Sequence, residues 1–235
     1  MAKKPTYQEI IKEIKSRKDP EAIAGMARYG INPDKNYGVC MPDMMRIKKL
    51  VGKDHELAHR LWSSGIRDAR IIACLIDDPK MVTEEQMDRW AKDFNSWDVC
   101  DGCCLHLFSY SRFGHKKARK WSDSGEEYVR RAGYVMMACL ATHDKAATDD
   151  AFRAYLPIIV KGATDERNYV KKAVNWALRG IGKRNIALNK SAIETAKKIQ
   201  KIDSKTAKWI ASDALKELTG EAVQTSLKRR EAKKR

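Results

Sequence analysis

The chain has 235 residues and a formal net charge of +16, because 47 lysines and arginines outnumber 31 aspartates and glutamates. It is long enough to bury a core, and no apolar stretch approaches the roughly 20 residues that cross a bilayer. The positive charge runs through the body of the chain, which predicts a polyanionic partner, most simply a nucleic acid. A generic basic protein, such as a ribosome-associated factor, is the alternative, and charge alone does not separate DNA from RNA.

In chain order, apolar residues recur at helical spacing almost everywhere, and almost nothing alternates with period two. This pattern predicts an all-α fold. Asp19 before Pro20 and Thr83 ahead of Gln86 are typical helix N-caps. The helical runs are separated by Asp19-Pro20, Gly30 to Pro42, Asp78-Pro79, Gly114, Ser122 to Gly125, Thr164-Asp165 and Asp203-Ser204.

The second half of the chain contains an internal repeat. Tyr128-Val-Arg-Arg-Ala-Gly-Tyr-Val aligns with Tyr169-Val-Lys-Lys-Ala-Val-Asn-Trp at a shift of 41 residues, and a weaker copy begins at Ile66. The shift matches the roughly 40–47 residue period of HEAT and armadillo repeats. We therefore predict HEAT-like helical repeats that form a curved α-α superhelix, with a basic concave face made by the second helix of each repeat.

Three segments follow from this interpretation. Residues 1–6 form a flexible N-terminus, residues 7–220 form the HEAT-like repeat domain, and residues 221–235 form a basic C-terminal tail. The first few residues and the run from Lys228 to Arg235 are rich in charge and poor in large apolar groups, so we expect fraying or disorder there.

The first candidate site lies in Asn95-Ser-Trp-Asp-Val-Cys-Asp-Gly-Cys-Cys, where Trp97 and Asp101 stand four residues apart. On a helix both project from one face, so an indole and a carboxylate share one site. A structural alternative is that Asp101 is a cap or one half of a salt bridge to Arg131, and that Trp97 belongs to the core.

The second candidate surface is basic and aromatic. Lys172, Trp176 and Arg179 share one helical face, and Arg131 occupies the position of Lys172 in the preceding repeat. Cations stacked from repeat to repeat suit phosphates, and exposed indoles offer flat π faces to a base, a sugar or a cation.

Six cysteines lie mostly in apolar stretches, with no secretory signal ahead of them: Cys40, Cys74, Cys100, Cys103, Cys104 and Cys139. They favour a reducing compartment, so we expect a cytoplasmic protein, associated with the nucleoid if the source is prokaryotic. His106 and His115 lie near the C-x-x-C at Cys100, but a second ligand pair at zinc-finger spacing is missing, which favours structural thiols over a metal site. The sequence contains no Walker A loop, G-x-G-x-x-G or G-x-S-x-G motif.

Over roughly residues 7–220, the chain resembles the AlkD family of HEAT-like repeat alkylpurine DNA glycosylases. The segments that carry the resemblance occur in the family's order: Met26-Ala-Arg-Tyr29, Ser96-Trp-Asp-Val-Cys-Asp101, Val129-Arg-Arg131-Ala and Val170-Lys-Lys-Ala-Val-Asn-Trp176-Ala-Leu-Arg179. Generic HEAT repeats do not require the tryptophan and aspartate four residues apart.

The resemblance implies a monofunctional enzyme that removes N3- and N7-alkylated purines, such as 3-methyladenine and 7-methylguanine, from double-stranded DNA. It implies Asp101, Trp97 and Trp176 as catalytic residues and Arg131, Lys172, Arg179 and Tyr29 as DNA contacts. No metal or organic cofactor is implied, the lesion is expected to stay stacked in an open groove, and a monomer is the simplest form. The main alternative is a non-catalytic relative that recognises DNA structure; a HEAT scaffold for an acidic protein or for RNA is more distant.

Overall fold

The computed structural model describes residues 4–233, and all regular structure in that range is helical. The all-α prediction is therefore confirmed. Within the same range, no helix is long and apolar enough to cross a membrane. The chain divides after Ser111 into two compact units, called here the N-terminal unit (residues 4–111) and the C-terminal unit (residues 112–233).

The N-terminal unit contains seven α-helices and one 3₁₀ helix. They are α1 (Tyr7–Ser16), α2 (Pro20–Arg28), α3 (Met41–Val51), α4 (His55–Ser63), α5 (Arg67–Ile76), α6 (Glu84–Lys92), α7 (Trp97–His106) and the 3₁₀ helix Phe108–Tyr110.

Side-chain caps fix where several of these helices begin. Asp19 accepts a hydrogen bond from the Ala22 amide and Thr83 accepts one from the Gln86 amide, which confirms both predicted N-caps. Each satisfies a backbone N–H that has no partner within the helix. Thr6 and Glu9 form a reciprocal capping box at the start of α1, so part of the segment predicted to be flexible is held in place. Residues 1–3 of that segment lie outside the described residues.

Aromatic stacking dominates the core of the N-terminal unit. The Trp62 and Trp90 rings lie parallel at 4.1 Å between centroids, and Phe94 and Phe108 pack against them. The Trp62 indole N–H also donates to Asp93 at 2.7 Å, which satisfies its one polar atom. These tryptophans are structural.

A buried carboxylate holds the long connection between α2 and α3. Asp68 on α5 is inaccessible to solvent and accepts hydrogen bonds from the Tyr37 amide at 2.8 Å and the Val39 amide at 2.9 Å. Between them, Gly38 has φ +73°, and a Cβ there would lie 2.8 Å from the Asp19 carbonyl oxygen. Only glycine tolerates both this positive φ and this close approach of the Asp19 carbonyl oxygen. The loop is therefore fixed by Gly38 and by the hydrogen bonds to Asp68.

The C-terminal unit contains eight α-helices. They are α8 (Gly114–Trp121), α9 (Glu127–His143), α10 (Asp149–Arg153), α11 (Leu156–Gly162), α12 (Asn168–Gly182), α13 (Ile186–Gln200), α14 (Lys205–Thr219) and α15 (Glu221–Ala232).

Packing in this unit follows the internal repeat. Helix α9 packs against α12, which in turn packs against α14, while α8 and α13 lie beside α9 and α14. The repeat-related rings of Tyr128 and Tyr169 are neighbours, 5.8 Å apart between centroids. Gly133 lets α9 approach the end of α8 so closely that a Cβ would collide with the Ser122 backbone. Equivalent positions of successive repeats therefore stack, while the predicted curvature and concave face remain predictions.

The run from Lys228 to Arg235, for which we expect fraying or disorder, is helical as far as Ala232. Residues 221–232 form α15, in which Leu227 is buried. The Gln224 amide donates to the Leu218 carbonyl oxygen at 2.6 Å, and Arg230 donates to the Lys183 carbonyl oxygen at 2.9 Å. These contacts dock α15, and the Arg230 bond lies within the basic run itself. Residues 234 and 235 lie outside the described range.

Candidate nucleic-acid interface

Trp97 and Asp101 lie on α7 of the N-terminal unit, as their spacing predicts. Both are half-buried, whereas Val99, Cys100 and Cys103 on the other side of the helix are buried. Burial raises the pKa of the Cys103 thiol well above its usual value, which keeps this sulfur protonated and packed. One side of α7 thus anchors the helix, and the side with the indole and the carboxylate meets solvent.

The first turn of α7 is fixed by a different carboxylate. Asp98 accepts a hydrogen bond from Arg67 Nε at 2.7 Å and another from the Ser96 hydroxyl at 2.5 Å, and the Asp98 and Arg67 side chains are both nearly buried. Arg67 also contacts Asp68 at 3.1 Å. The chain of contacts from the loop before α3, through α5, to α7 sets the position of the candidate site.

The structure brings Tyr29 to Trp97. The Trp97 indole N–H donates to the Tyr29 backbone carbonyl oxygen at 2.9 Å, across 68 residues of sequence. The Tyr29 side chain is 76% exposed, the most exposed large apolar group described in the protein. A tethered indole, an exposed phenol ring and the Asp101 helix therefore belong to one surface of the N-terminal unit.

The other candidate residues lie in the C-terminal unit. Lys172, Trp176 and Arg179 share α12; Lys172 is exposed and Trp176 is half-buried. Arg179 instead lies in an ion pair with Glu217 of α14, at 2.5 Å, which Lys183 joins at 2.7 Å. Burial alone would raise the pKa of Glu217, but the Lys183 hydrogen bond and the Arg179 charge lower it below its usual value. The Arg179 charge is therefore already compensated within the protein.

Arg131 is more buried than its predicted role suggests. It is 6% exposed on α9, and its Nη1 donates to the Tyr169 carbonyl oxygen at 2.5 Å, just inside the next repeat. The guanidinium thus cross-links α9 and α12.

A cavity of about 760 Å³ lies beside Trp176 in the C-terminal unit. Its cationic lining residues are Lys145, Lys183, Arg184, Arg230 and Lys233, against the single acid Glu231. The Arg184 guanidinium is held by the Ala141 and Ala147 carbonyl oxygens, both at 3.0 Å. The sequence does not predict this group of cations, because they come from separate segments of the chain. The one feature of the sequence that points to them is the high positive charge of the C-terminal end.

The model of one protein family, described as DNA alkylation repair enzyme, matches residues 10–218. The chain belongs to the DNA alkylation repair enzyme family. Among relatives of this family member are the uncharacterized proteins Lin0241 of Listeria innocua and Lmo0209 of Listeria monocytogenes. They are 24% and 22% identical to it over 202 residues, which cover 84% of this chain and 88% of each relative.

A solved structure is also similar to this family member. It represents a new family of proteins related to the HEAT-like repeat DNA glycosylases, with affinity for branched DNA structures. The TM-score is 0.75 at 22% sequence identity, and the match covers 89% of this chain and 94% of the other. This likeness identifies the fold as HEAT-like helical repeats, as predicted. The family model matches residues 10–218, so α15 lies beyond the matched residues.

Proposed function

We propose that this protein is a monofunctional DNA glycosylase, which hydrolyses the N-glycosidic bond of N3- and N7-alkylated purines in duplex DNA. Membership of the DNA alkylation repair enzyme family supports the general role. The observation that carries the specific activity is the pairing of Trp97 and Asp101 on the solvent side of α7.

Alkylation at N3 or N7 makes the base cationic, so the base leaves as a neutral molecule when the C1′–N bond breaks. No general acid is needed for such a leaving group. The positive charge moves to the deoxyribose as an oxocarbenium ion. Water then adds to C1′ and loses one proton, leaving an abasic site. The enzyme therefore has to stabilise a cation and position a water molecule.

Asp101 and Trp97 match these two needs. A carboxylate stabilises the oxocarbenium ion, orients the water and accepts its proton, while an indole face adds cation–π attraction. Two opposite charges 4 Å apart interact by about 4 kcal/mol at an effective dielectric constant of about 20, which corresponds to roughly a thousandfold in rate. The Tyr29 carbonyl holds the Trp97 ring in place, so the indole is oriented before DNA arrives.

In the C-terminal unit, the proposal assigns Trp176 as an indole against the deoxyribose backbone, and Arg131 and Lys172 as phosphate contacts. The cationic cavity beside Trp176 supports a polyanionic ligand there. Arg179 becomes a phosphate contact only if DNA competes with Glu217 for its guanidinium. The proposed enzyme is a cytoplasmic monomer, acts without a cofactor and leaves the damaged base stacked.

The decisive experiment measures release of free 7-methylguanine and 3-methyladenine from methylated duplex DNA, in buffer containing a chelator. We expect Asp101→Asn to retain duplex binding, because a carboxylate repels phosphate, and to lose excision by about a thousandfold. Asp34→Asn is the matched control, since it removes the same charge from an exposed loop of the same unit. Equal excision by Asp101→Asn and wild type would refute the catalytic assignment.

A second candidate function is recognition of DNA structure without catalysis. The observation that favours it is the similarity in fold to a family with affinity for branched DNA structures. Binding of a four-way junction more tightly than a duplex of equal length, with no base release by wild type, would replace the glycosylase proposal by this one.

A further inference from the structure

Two histidines and an aspartate meet in the N-terminal unit, away from α7. His55 and His59 lie on α4 and Asp77 follows the last residue of α5. One ligand atom from each lies within 4.8 Å of the other two, and among residues 4–233 this is the group of three with such geometry. None of the three is needed for the proposed excision reaction.

The two imidazoles are presented together because they are four residues apart on a helix. Side chains at this spacing lie one above the other on one face. Their ring centroids are 4.6 Å apart, with the ring planes nearly perpendicular. Two histidines at i and i+4 on one helical face are a recurrent arrangement for holding Zn²⁺.

Asp77 supplies the third group from the buried side. It is inaccessible to solvent, and its Oδ1 lies 2.6 Å from His55 Nδ1. Its other oxygen, Oδ2, accepts a hydrogen bond from Gln86 Nε2 at 2.6 Å, which fixes the plane of the carboxylate. Metal-binding carboxylates in proteins are oriented by such outer contacts.

Gln86 adds an independent observation. It is 2% exposed, and its amide lies against the Asp77 carboxylate. Its Oε1 is buried without a partner at hydrogen-bond geometry, and His59 is the nearby group that interacts with the Gln86 side chain. A water molecule bound to a metal ion at His59 would be a strong donor to this oxygen.

We propose that His55, His59 and Asp77 bind one divalent transition-metal ion of the Zn²⁺ class. Two imidazole nitrogens and one carboxylate oxygen suit Zn²⁺, and water completes four-coordination. Zn²⁺ bonds to these ligands are about 2.0–2.2 Å long, which places tetrahedral ligand atoms roughly 3.3–3.6 Å apart. The 2.6 Å contact between His55 Nδ1 and Asp77 Oδ1 therefore opens, and the wider separations close, when the ion binds. His55 and His59 are partly exposed, which leaves a path of entry, and Gln86 is the outer contact.

The ion has a structural role in this proposal. It ties the first two turns of α4 to the end of α5, the helix that also carries Asp68 and Arg67. A simple His55–Asp77 ion pair is the competing explanation, and the two differ at His59. The pair needs only one imidazole, whereas a metal site loses a ligand when His59 is replaced.

The test uses full-length protein stripped of metal with a chelator and then freed of the chelator. Co²⁺ is titrated as a spectroscopic probe, and Zn²⁺ binding is measured by calorimetry and by competition with Co²⁺. We expect one Co²⁺ per chain with the visible absorption of a four-coordinate nitrogen and oxygen site. His59→Gln is expected to weaken Zn²⁺ binding at least a hundredfold, more than the loss of an outer contact usually does. His143→Gln, a histidine of the other unit, is the matched control and keeps wild-type affinity.

Thermal unfolding keeps the test valid if His59→Gln is poorly folded. Zn²⁺ should raise the unfolding temperature of wild type and His143→Gln, but not that of His59→Gln, because a ligand that binds only the folded state stabilises it. Absence of Co²⁺ binding by wild type, equal affinity of His59→Gln, or an absorption band from cysteine thiolate would overturn the proposal. Base excision plays no part in these readouts, so failure here leaves the glycosylase proposal untouched.

Discussion

Replacing Asp68 by Asn tests whether one buried carboxylate builds the N-terminal unit around the candidate site. Asp68 Oδ2 accepts from the Tyr37 amide at 2.8 Å, and Oδ1 accepts from the Val39 amide at 2.9 Å and from Arg67 at 3.1 Å. An asparagine has one carbonyl oxygen for these three donors. Its NH₂ group then faces a backbone N–H, or faces Arg67.

The expected cost follows from these contacts. Loss of a hydrogen bond to a charged acceptor costs about 1.5–3 kcal/mol, and breaking a buried ion pair costs about 3–5 kcal/mol. Because the contacts share one carboxylate, the terms overlap, and we expect about 4 kcal/mol in the free energy of unfolding. For a chain of this size the unfolding temperature would fall by about 8–16 °C.

Urea unfolding followed by circular dichroism measures the loss, and amide hydrogen exchange localises it. Protection of the Tyr37 and Val39 amides should fall by more than a hundredfold when the loop opens locally, since about 1.4 kcal/mol corresponds to a factor of ten. Asp34→Asn removes an equal charge from the exposed part of the same loop and should change stability little. A loss below about 1 kcal/mol for Asp68→Asn, with both amides still protected, would refute the reasoning.

Arg131→Ala should weaken DNA binding and reduce the slope of log K against log salt concentration by about one. It should also lower the free energy of unfolding, because the bond to the Tyr169 carbonyl oxygen is lost. An unchanged slope argues against a phosphate contact. Glu217→Gln should tighten DNA binding by freeing Arg179, and unaltered affinity would exclude Arg179 as a contact. The pKa of Glu217 is lowered in the folded state, so its stabilisation is present above about pH 4.5 and is lost as the pH falls through the folded pKa. The free energy of unfolding should therefore fall less on acidification in Glu217→Gln than in wild type. Lys145→Gln removes one exposed cation from the cavity beside Trp176 and should lower DNA affinity without changing the unfolding temperature by more than about 2 °C; equal affinity would show that the cavity does not bind DNA.

Several features could be predicted from local sequence because their physical causes are local. Helical periodicity predicted the all-α fold, and short-range capping by Asp19 and Thr83 predicted two helix starts. The spacing of Trp97 and Asp101 placed them together on α7, since a helix fixes which neighbours share a face. The 41-residue shift predicted that Tyr128 and Tyr169 stand in equivalent positions, and their rings are in contact.

The C-terminal end shows where composition misleads. The basic run from Lys228 predicts fraying, yet α15 continues to Ala232, Arg230 donates to the Lys183 carbonyl oxygen, and Leu227 is buried just before the run. Composition measures the mean tendency of a segment to bury apolar surface. It does not register that one leucine and two polar anchors meet matching groups on another part of the chain.

The sequence by itself determined the helical class, the repeat and the pairing of an indole with a carboxylate, because each depends on residues close together along the chain. Only the tertiary structure decided which charges are compensated and which side chains meet across long separations. Arg179 is paired with Glu217, Trp97 is tethered to Tyr29, and His59 lies beside Asp77. These contacts depend on how helices pack. The sequence shows that a residue is charged, but it does not show whether that charge meets a phosphate, a carboxylate or water.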